Sequence, residues 1–403
     1  MVISASFDVE SVLERIHSVV GSSSVNQPIS LHEPDFSGTQ AWTYVKDCLD
    51  TGWVSTAGSW VSRFEKELCI TTGAKHAVVV SNGTVALRLA LHLVGVGFHD
   101  EVFVPPLSFV ATANAVAHLG AVPHFIDVEK TTLGMCPVAL SQRLESIAEK
   151  RNGILVNRET GRRVAAVLPV HVFGNPCQVD RLRLVADFWG LPLVEDAAEA
   201  LCSYREGIHC GLFGSVGTLS FNGNKLITTG GGGALLTNDS ALAKHARHLS
   251  TTAKTPHPWL FNHDYVGWND RMPNINAALG VAQLEDIDRR LKAKRLLAKH
   301  YQDAFADLDG VELLSEPNGC LSNHWLVTLR LTTHDPSVAL HLRDQLLDRS
   351  HNSGLLLRPI WTPLHHLPMF DSCSSSPLLV ADTESPRLLN LPSSPQLLHG
   401  KFL

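Results

Sequence analysis

No stretch of this 403-residue chain approaches the roughly 18 consecutive apolar residues that a membrane-spanning helix needs, so no transmembrane segment is expected. An excess of basic residues is missing too. The formal net charge is −6, which leaves no electrostatic footprint for nucleic acid. The start, MVISASFDVESVLERIHSVV, lacks the basic opening of a secretory leader. It carries Asp8, Glu10 and Glu14 and predicts a short amphipathic helix. The eight cysteines contain no CxxC pair and are scattered through apolar context. They are expected to be reduced and mostly buried, which disfavours a disulfide or zinc framework and points to a reducing cytoplasm. Among the 21 histidines only His365 and His366 are adjacent, and no HExxH accompanies them, so no metal is expected.

What the chain does have is alternation. Short apolar, β-branched runs at 74–80, 100–105, 122–127, 164–172, 191–196 and 233–238 are spaced by helix-like stretches at 84–97, 109–120, 139–150 and 178–190. Strands alternating with helices of that length predict an α/β fold, with a mainly parallel sheet between helices. Ligand sites in such sheets lie beyond the carboxyl ends of the strands. After residue 240 the pattern changes. Residues 255–270 are rich in proline and aromatics and predict a long loop. A helical period starts near Asn274 and runs on for two helices or one kinked helix. A smaller C-terminal α/β domain follows, with a strand at 323–332 and a helix at 338–350. The Ser/Pro-rich stretch DSCSSSPLLVADTESP is expected to be partly mobile. The expected division is an N-terminal arm at 1–45, a large domain at 46–285 and a small domain at 286–403.

The residues just past the strands carry the chemistry. Ser81-Asn82-Gly83-Thr84 leads from a strand into a helix whose first amides can bind phosphate, although a plain N-cap by Asn82 or Thr84 explains the same residues. Phe109 opens another helix, as core or as a plate for a flat ring. Glu195-Asp196-Ala197-Ala198-Glu199 places carboxylates at a strand end. They either complement a helix N-terminus or pair with a cationic ligand atom, because a buried anion needs a partner. After VGTLSF, the stretch SFNGNKLITTGGGG holds Lys225 as its sole charge. A Walker A loop is excluded, because Asn224 precedes the lysine and Leu226 follows it. The glycine run leads into a late strand, which fits a dinucleotide fingerprint poorly. A surface lysine in a hairpin stays open. Together, however, a phosphate seat, a ring plate, a strand-end aspartate and a lysine in a small-residue loop match the parts of pyridoxal 5'-phosphate. Its phosphate takes amides and hydroxyls, its pyridine nitrogen takes the aspartate, and its aldehyde forms an imine with the lysine.

TGWVSTAGSWVSRFEKEL, SNGTVALRLAL, PPLSFVATANAV, PVHVFGNP, LVEDAAEALCS, SFNGNKLITTGGGG and NDRMPNINAALGVAQLE follow one another along most of the chain. In these motifs the chain resembles the DegT/StrS-type sugar-nucleotide aminotransferases, pyridoxal phosphate enzymes of fold type I (aspartate aminotransferase-like). PISLHEPDFSG, SFNGNK and RPIWTPLHHLPMF look closer still to the LegC-like branch. That branch aminates 4-keto-6-deoxy sugar nucleotides on routes to legionaminic acid or bacillosamine-type sugars. The resemblance implies that Lys225 is the Schiff-base lysine and general acid/base, and that Asp196 pairs with the pyridine nitrogen. It implies that Gly83, Thr84 and Ser220 hold the phosphate, that Phe109 stacks on the ring, and that Glu199 lies near the ring hydroxyl. Asn222 is a further cofactor contact, and Asn269 would reach the cofactor from the other subunit of a homodimer. Ser55, Thr56 and His365 would contact substrate. Glutamate is the implied amino donor, and a UDP- or GDP-linked N-acetyl-hexosamine derivative the implied acceptor.

Four positions depart from the wider pattern. Asn222 stands where histidine is frequent, Gly231 where glutamate is common, Cys136 where an acid is frequent, and Asp270 where an aromatic is usual beside Asn269. Asp270 puts a negative charge near the expected phosphate, where it either weakens cofactor binding or points away harmlessly. Two other outcomes stay open. One is a pyridoxal phosphate-dependent sugar dehydratase, whose members carry histidine at the lysine position. The other is a non-catalytic, sensory homologue that only binds the cofactor.

Overall fold

The structure, a computed structural model, describes residues 7–398; the first residues of the N-terminal stretch lie outside them. Its central sheet contains β1 (His76–Val80), β2 (Glu101–Val104), β3 (Val122–Phe125), β4 (Val164–Val167), β5 (Val194–Asp196), β6 (Val216–Ser220) and β7 (Gly233–Thr237). The order across it is β1-β7-β6-β5-β4-β2-β3, with the β4–β5 junction made by pairing of Val167 with Leu193 and Val170 with Asp196. Strand β7 runs antiparallel to β1 and β6, and the other neighbours are parallel. Strands β2 and β4 are buried along their whole length, as expected of strands covered on both faces. This is the mainly parallel α/β sheet that the alternating pattern predicts, and all its site-bearing strand ends open on one edge.

The helical period that begins at Asn274 is two helices, Asn274–Leu284 and Ile287–Phe305, broken at Glu285-Asp286. The second helix packs on a smaller antiparallel sheet of β8 (Val311–Leu313), β9 (Val327–Leu331), β10 (Arg358–Pro359) and β11 (Leu388–Leu391), ordered β8-β9-β11-β10. The N-terminal helix Val9–Val20, capped by Asp8, places Val12, Leu13 and Ile16 in the same core as Leu297, Tyr301 and Leu329. Within the expected arm, the helix Val9–Val20 therefore shares the core of the C-terminal sheet.

The Ser/Pro-rich stretch is tied down, contrary to what its composition suggests. Phe125 N donates to Ser374 O at 2.9 Å, and Asp127 N donates to Ser376 Oγ at 3.0 Å. The Asp127 carboxylate accepts Val380 N at 2.9 Å and Ala381 N at 3.0 Å, fixing the start of the Leu379–Glu384 helix. Serine and proline content says nothing about such distant partners. The aromatic-rich segment 255–267 is a loop, with Trp259, Phe261 and Val266 each at least 75% exposed. All eight cysteines are free. Among the described residues no helix is long and apolar enough to cross a membrane.

Candidate active site

The carboxyl ends of the strands converge on a cleft of about 350 Å³. Gly83 and Thr84 enter it from the end of β1, and Phe109 from the segment after β2. Asp196 and Glu199 come from β5 and the turn that follows. Ser220, Asn222 and Lys225 come from the end of β6 and its loop.

An anion seat forms where β1 meets its helix. Asn82 Oδ1 caps the Gly83–Leu93 helix by accepting Val85 N at 2.9 Å. That leaves the amides of Gly83 and Thr84 without intrahelical partners, at the positive end of the helix dipole. A Cβ added at Gly83 would stand 2.9 Å from Ser220 Cβ and 3.0 Å from Ser220 Oγ. Only glycine lets the helix start come this close to the hydroxyl. The cap uses Asn82 and Val85 N, so it leaves the Gly83 and Thr84 amides available for an anion.

Strand alternation sorts the acids. Glu195 points into the core, where its carboxylate accepts Gly211 N, Phe213 N and Gly214 N at 2.6–2.7 Å and lies 3.0 Å from His171 Nε2. Asp196 points the other way, into the cleft. It is buried, with Thr112 Oγ1 donating to Oδ2 at 2.8 Å and Ala198 N donating to Oδ1 at 3.2 Å. Burial pushes its carboxyl above the usual range, against the pull of these bonds and of Lys225. Glu199 is also buried and also pushed up by burial. Its Oε2 accepts Phe173 N at 2.8 Å, and its Oε1 accepts Lys225 Nζ at 3.2 Å. Phe173 sits at φ +58, so its amide is aimed at Glu199 from a left-handed backbone that phenylalanine rarely adopts.

Further residues line the cleft, among them Thr112, Trp325, Arg358 and Trp361. Trp325 lies 3.9 Å, ring centroid to nitrogen, from Lys225 Nζ. Trp361 stacks on Phe173 at 5.1 Å and faces Phe109 at 6.4 Å. Thr112 lay one helical turn after Phe109, a usable signal. Trp325 lay inside a predicted strand that in fact begins at Val327, so no local pattern marked it.

The other expected positions lie elsewhere in this chain. Ser55 is exposed, its carbonyl accepting Asn274 N at 2.6 Å, and Thr56 follows it outside the cleft lining. Asn269 is exposed and pairs with Thr251. His365 is not brought to the cleft. Its Nε2 lies 2.9 Å from Asp382 Oδ1, beside His366, and the same segment sends Arg358 and Trp361 into the cleft instead.

Asp270 stays out of the cleft. Its carboxylate pairs with the Arg88 guanidinium, which covers the Trp268 ring at 4.6 Å. Arg88 neutralises the charge that seemed aimed at the phosphate. D270N should therefore leave cofactor affinity within about twofold while lowering stability by about 1 kcal/mol, read by cofactor titration and thermal melting. If Asp270 faced the phosphate, the same variant would bind cofactor more tightly. At Gly231, a Cβ would meet nothing closer than Ser81 O at 3.9 Å, so the cleft keeps open space where a glutamate is common.

These groups fit pyridoxal 5'-phosphate. Two free amides and a hydroxyl suit a phosphate, and a close-packed glycine makes room for it. A buried carboxylate, pushed up for want of a full cationic partner, suits a protonated pyridine nitrogen. A lysine amine suits the aldehyde.

The sequence profile of the DegT/DnrJ/EryC1/StrS aminotransferase family matches residues 37–401. EpsN of Bacillus subtilis (strain 168) is 38% identical over 347 residues, covering 86% of this chain and 85% of EpsN. A GDP-perosamine synthase of Vibrio cholerae is 36% identical over 370 residues, covering 92% of this chain and 95% of that protein. The solved structure of the aminotransferase TlmJ from Streptoalloteichus hindustanus superposes with a TM-score of 0.80 at 29% identity, covering 91% of this chain and 93% of TlmJ.

Proposed function

The chain belongs to the DegT/DnrJ/EryC1/StrS aminotransferase family, and on that premise we propose that it transfers the amino group of glutamate to C4 of a nucleotide-linked 4-keto-6-deoxy sugar. The protein is a pyridoxal 5'-phosphate-dependent aminotransferase of fold type I, and its family acts on sugars. The observation that carries the site assignment is the placement of Lys225 Nζ, 3.2 Å from Glu199, in the one cleft that also holds Asp196 and the Gly83–Ser220 anion seat.

Bound in this cleft, the cofactor supplies an aldehyde to carry the amino group and a ring that accepts electrons. The chain's own residues do the rest. Gly83, Thr84 and Ser220 would hold the phosphate, with Asn222 as a further cofactor contact. Asp196, oriented by Thr112, would keep a proton on the pyridine nitrogen. Phe109 would cover a ring face, and Glu199 would lie by the ring hydroxyl. Lys225 Nζ would act as the general acid/base, taking the proton from the donor α-carbon and returning it in the sugar half-reaction.

Arg358 is the only arginine lining the cleft, and no hydrogen bond or ion pair to the described chain engages its guanidinium. We assign it to an anionic group of the substrates. R358Q should raise KM for glutamate or for the sugar nucleotide by about tenfold or more, with a smaller change in kcat, in steady-state assays.

PISLHEPDFSG and RPIWTPLHHLPMF support the LegC-like branch, and with it an N-acetyl-hexosamine derivative destined for a legionaminic acid or bacillosamine-type sugar. The GDP-perosamine synthase relatives support a GDP-linked acceptor, and the UDP-linked alternative rests on the branch resemblance. A homodimer would bring the partner's Asn269, Ser55 and Thr56 to the cleft. All three lie outside this chain's own cleft lining, and the exposed Trp42, Trp53 and Trp259 offer apolar surface for such an interface. We further infer that the reaction takes place in the cytoplasm, a reading supported by the scattered cysteines without a CxxC pair. Incubation with ¹⁵N-glutamate and a 4-keto-6-deoxy sugar nucleotide should give a sugar product carrying the heavy nitrogen by mass spectrometry. A product that has lost water and gained no nitrogen would instead support the dehydratase.

A further inference from the structure

Trp325 is 3% exposed and anchored at every polar atom. Its indole Nε1 donates to the carbonyl of Asn224, the residue before Lys225, at 2.7 Å. Its amide donates to Asn323 Oδ1 at 2.8 Å, and its carbonyl accepts Lys294 Nζ at 3.0 Å. Lys294 is itself buried and spends a second donor on Ser393 O at 2.6 Å. Asn323 Nδ2 donates to the carbonyls of Glu199 and Leu201, each at 2.8 Å. One buried asparagine thus locks the backbone of Glu199 to that of Trp325. Between those two side chains lies Lys225 Nζ, 3.2 Å from Glu199 Oε1 and 3.9 Å from the indole centroid.

An ammonium over an indole face is attracted by the ring quadrupole, more so when desolvated, and the Lys225 side chain is only 14% exposed. Other charges bear on the same nitrogen. Asp196, on the adjoining strand, adds to the pull of Glu199. Arg358, across the cleft, opposes it. His32 adds little, because burial, Lys294, Arg290 and Lys225 push its ring well below the usual histidine range and keep it neutral.

We propose that Trp325 and Glu199 form the seat of the freed Lys225, the indole face receiving the ammonium whenever the lysine is displaced from the cofactor and holding it in the cleft for its next proton transfer. Trp325 is then a positioning residue that acts through Lys225. The proposal rests on Lys225 being the cofactor-bearing lysine.

In the pyridoxamine phosphate form of the full protein, Lys225 is free and can be read directly by trace acetylation at a fixed neutral pH, followed by peptide mass spectrometry. W325L, which removes the ring, should raise acetylation of Lys225 about threefold to thirtyfold. W325F keeps a ring face but loses the Nε1 bond to Asn224, and should stay within about threefold of the unaltered protein. W325M replaces W325L if the leucine variant fails to fold. Equal acetylation in W325L and the unaltered protein would overturn the seat. So would a W325F effect as large as that of W325L, which would make the Nε1 anchor the whole contribution. Borohydride reduction of the aldehyde form tests the underlying assignment separately, because a trapped cofactor on another lysine would refute that assignment whatever Trp325 does.

Discussion

Borohydride treatment of K225A will trap no cofactor at position 225, and transamination by this variant will fall by about 10⁴-fold or more. The expectation follows from two functions that one nitrogen performs. As a nucleophile it holds the aldehyde, and as a general acid/base it moves the proton between donor and cofactor, a role that alone supplies about 10² to 10⁴. No neighbour can take over. The nearest acid, Glu199, is committed to Phe173 N, and the other cleft cation, Arg358, stays charged and cannot act as a base. The phosphate seat does not involve Lys225, so K225A should still bind the cofactor, now releasable by dialysis. Peptide mass mapping after reduction, with rates measured in parallel, checks both statements. A K225A protein that turns over normally would end the mechanism.

The second large effect is expected at Asp196. D196N preserves shape and the Thr112 hydrogen bond but cannot carry charge. Removing one partner of a buried ion pair costs about 3 to 5 kcal/mol, so turnover should fall by about 10² to 10³ or more. The same substitution should act in the opposite direction on the cofactor-free protein. Burial raises the Asp196 carboxyl above its unfolded value. A raised carboxyl costs stability above its folded pKa, where the unfolded chain sheds the proton more readily, and costs nothing below the unfolded pKa. The cofactor-free D196N protein should therefore melt higher than the unaltered one at neutral pH, with the difference closing on the acid side. Cofactor binding to the unaltered protein should also weaken as pH falls through the raised Asp196 pKa, because the pyridine nitrogen then loses its anion. Thermal melts and cofactor titrations over pH check the two limbs. A D196N protein that melts lower at neutral pH would contradict the argument.

The sheet was legible because β2 and β4 are buried along their length and are mostly apolar, and the strand-end rule pointed to Gly83, Asp196, Ser220 and Lys225, which the structure gathers in one cleft. Local spacing could not reveal partners far apart in sequence. Trp325 meets the lysine loop across 101 residues, and Asp270 meets Arg88 across 182. An isolated aspartate beside a phosphate motif looks repulsive until its arginine is known. Glu195 and Asp196 illustrate the same limit at close range. Both are strand-end acids, and only the strand's alternation decides that one is a core acceptor for three amides and the other faces the cleft. In the RPIWTPLHHLPMF segment it is Arg358 and Trp361 that line this chain's cleft, while His365 pairs with Asp382, and local spacing could not tell these members apart.

The central claim is that this cleft hands an amino group to a nucleotide-linked keto sugar. The direct measurement is to load the protein as its pyridoxamine phosphate form and titrate it with UDP- and GDP-linked 4-keto-6-deoxy sugars while recording the absorption spectrum. The account predicts a return to the aldehyde-form spectrum with at least one of them, together with one equivalent of aminosugar nucleotide. A spectrum that ignores every such sugar, in a protein that still exchanges its amino group with glutamate, would contradict it.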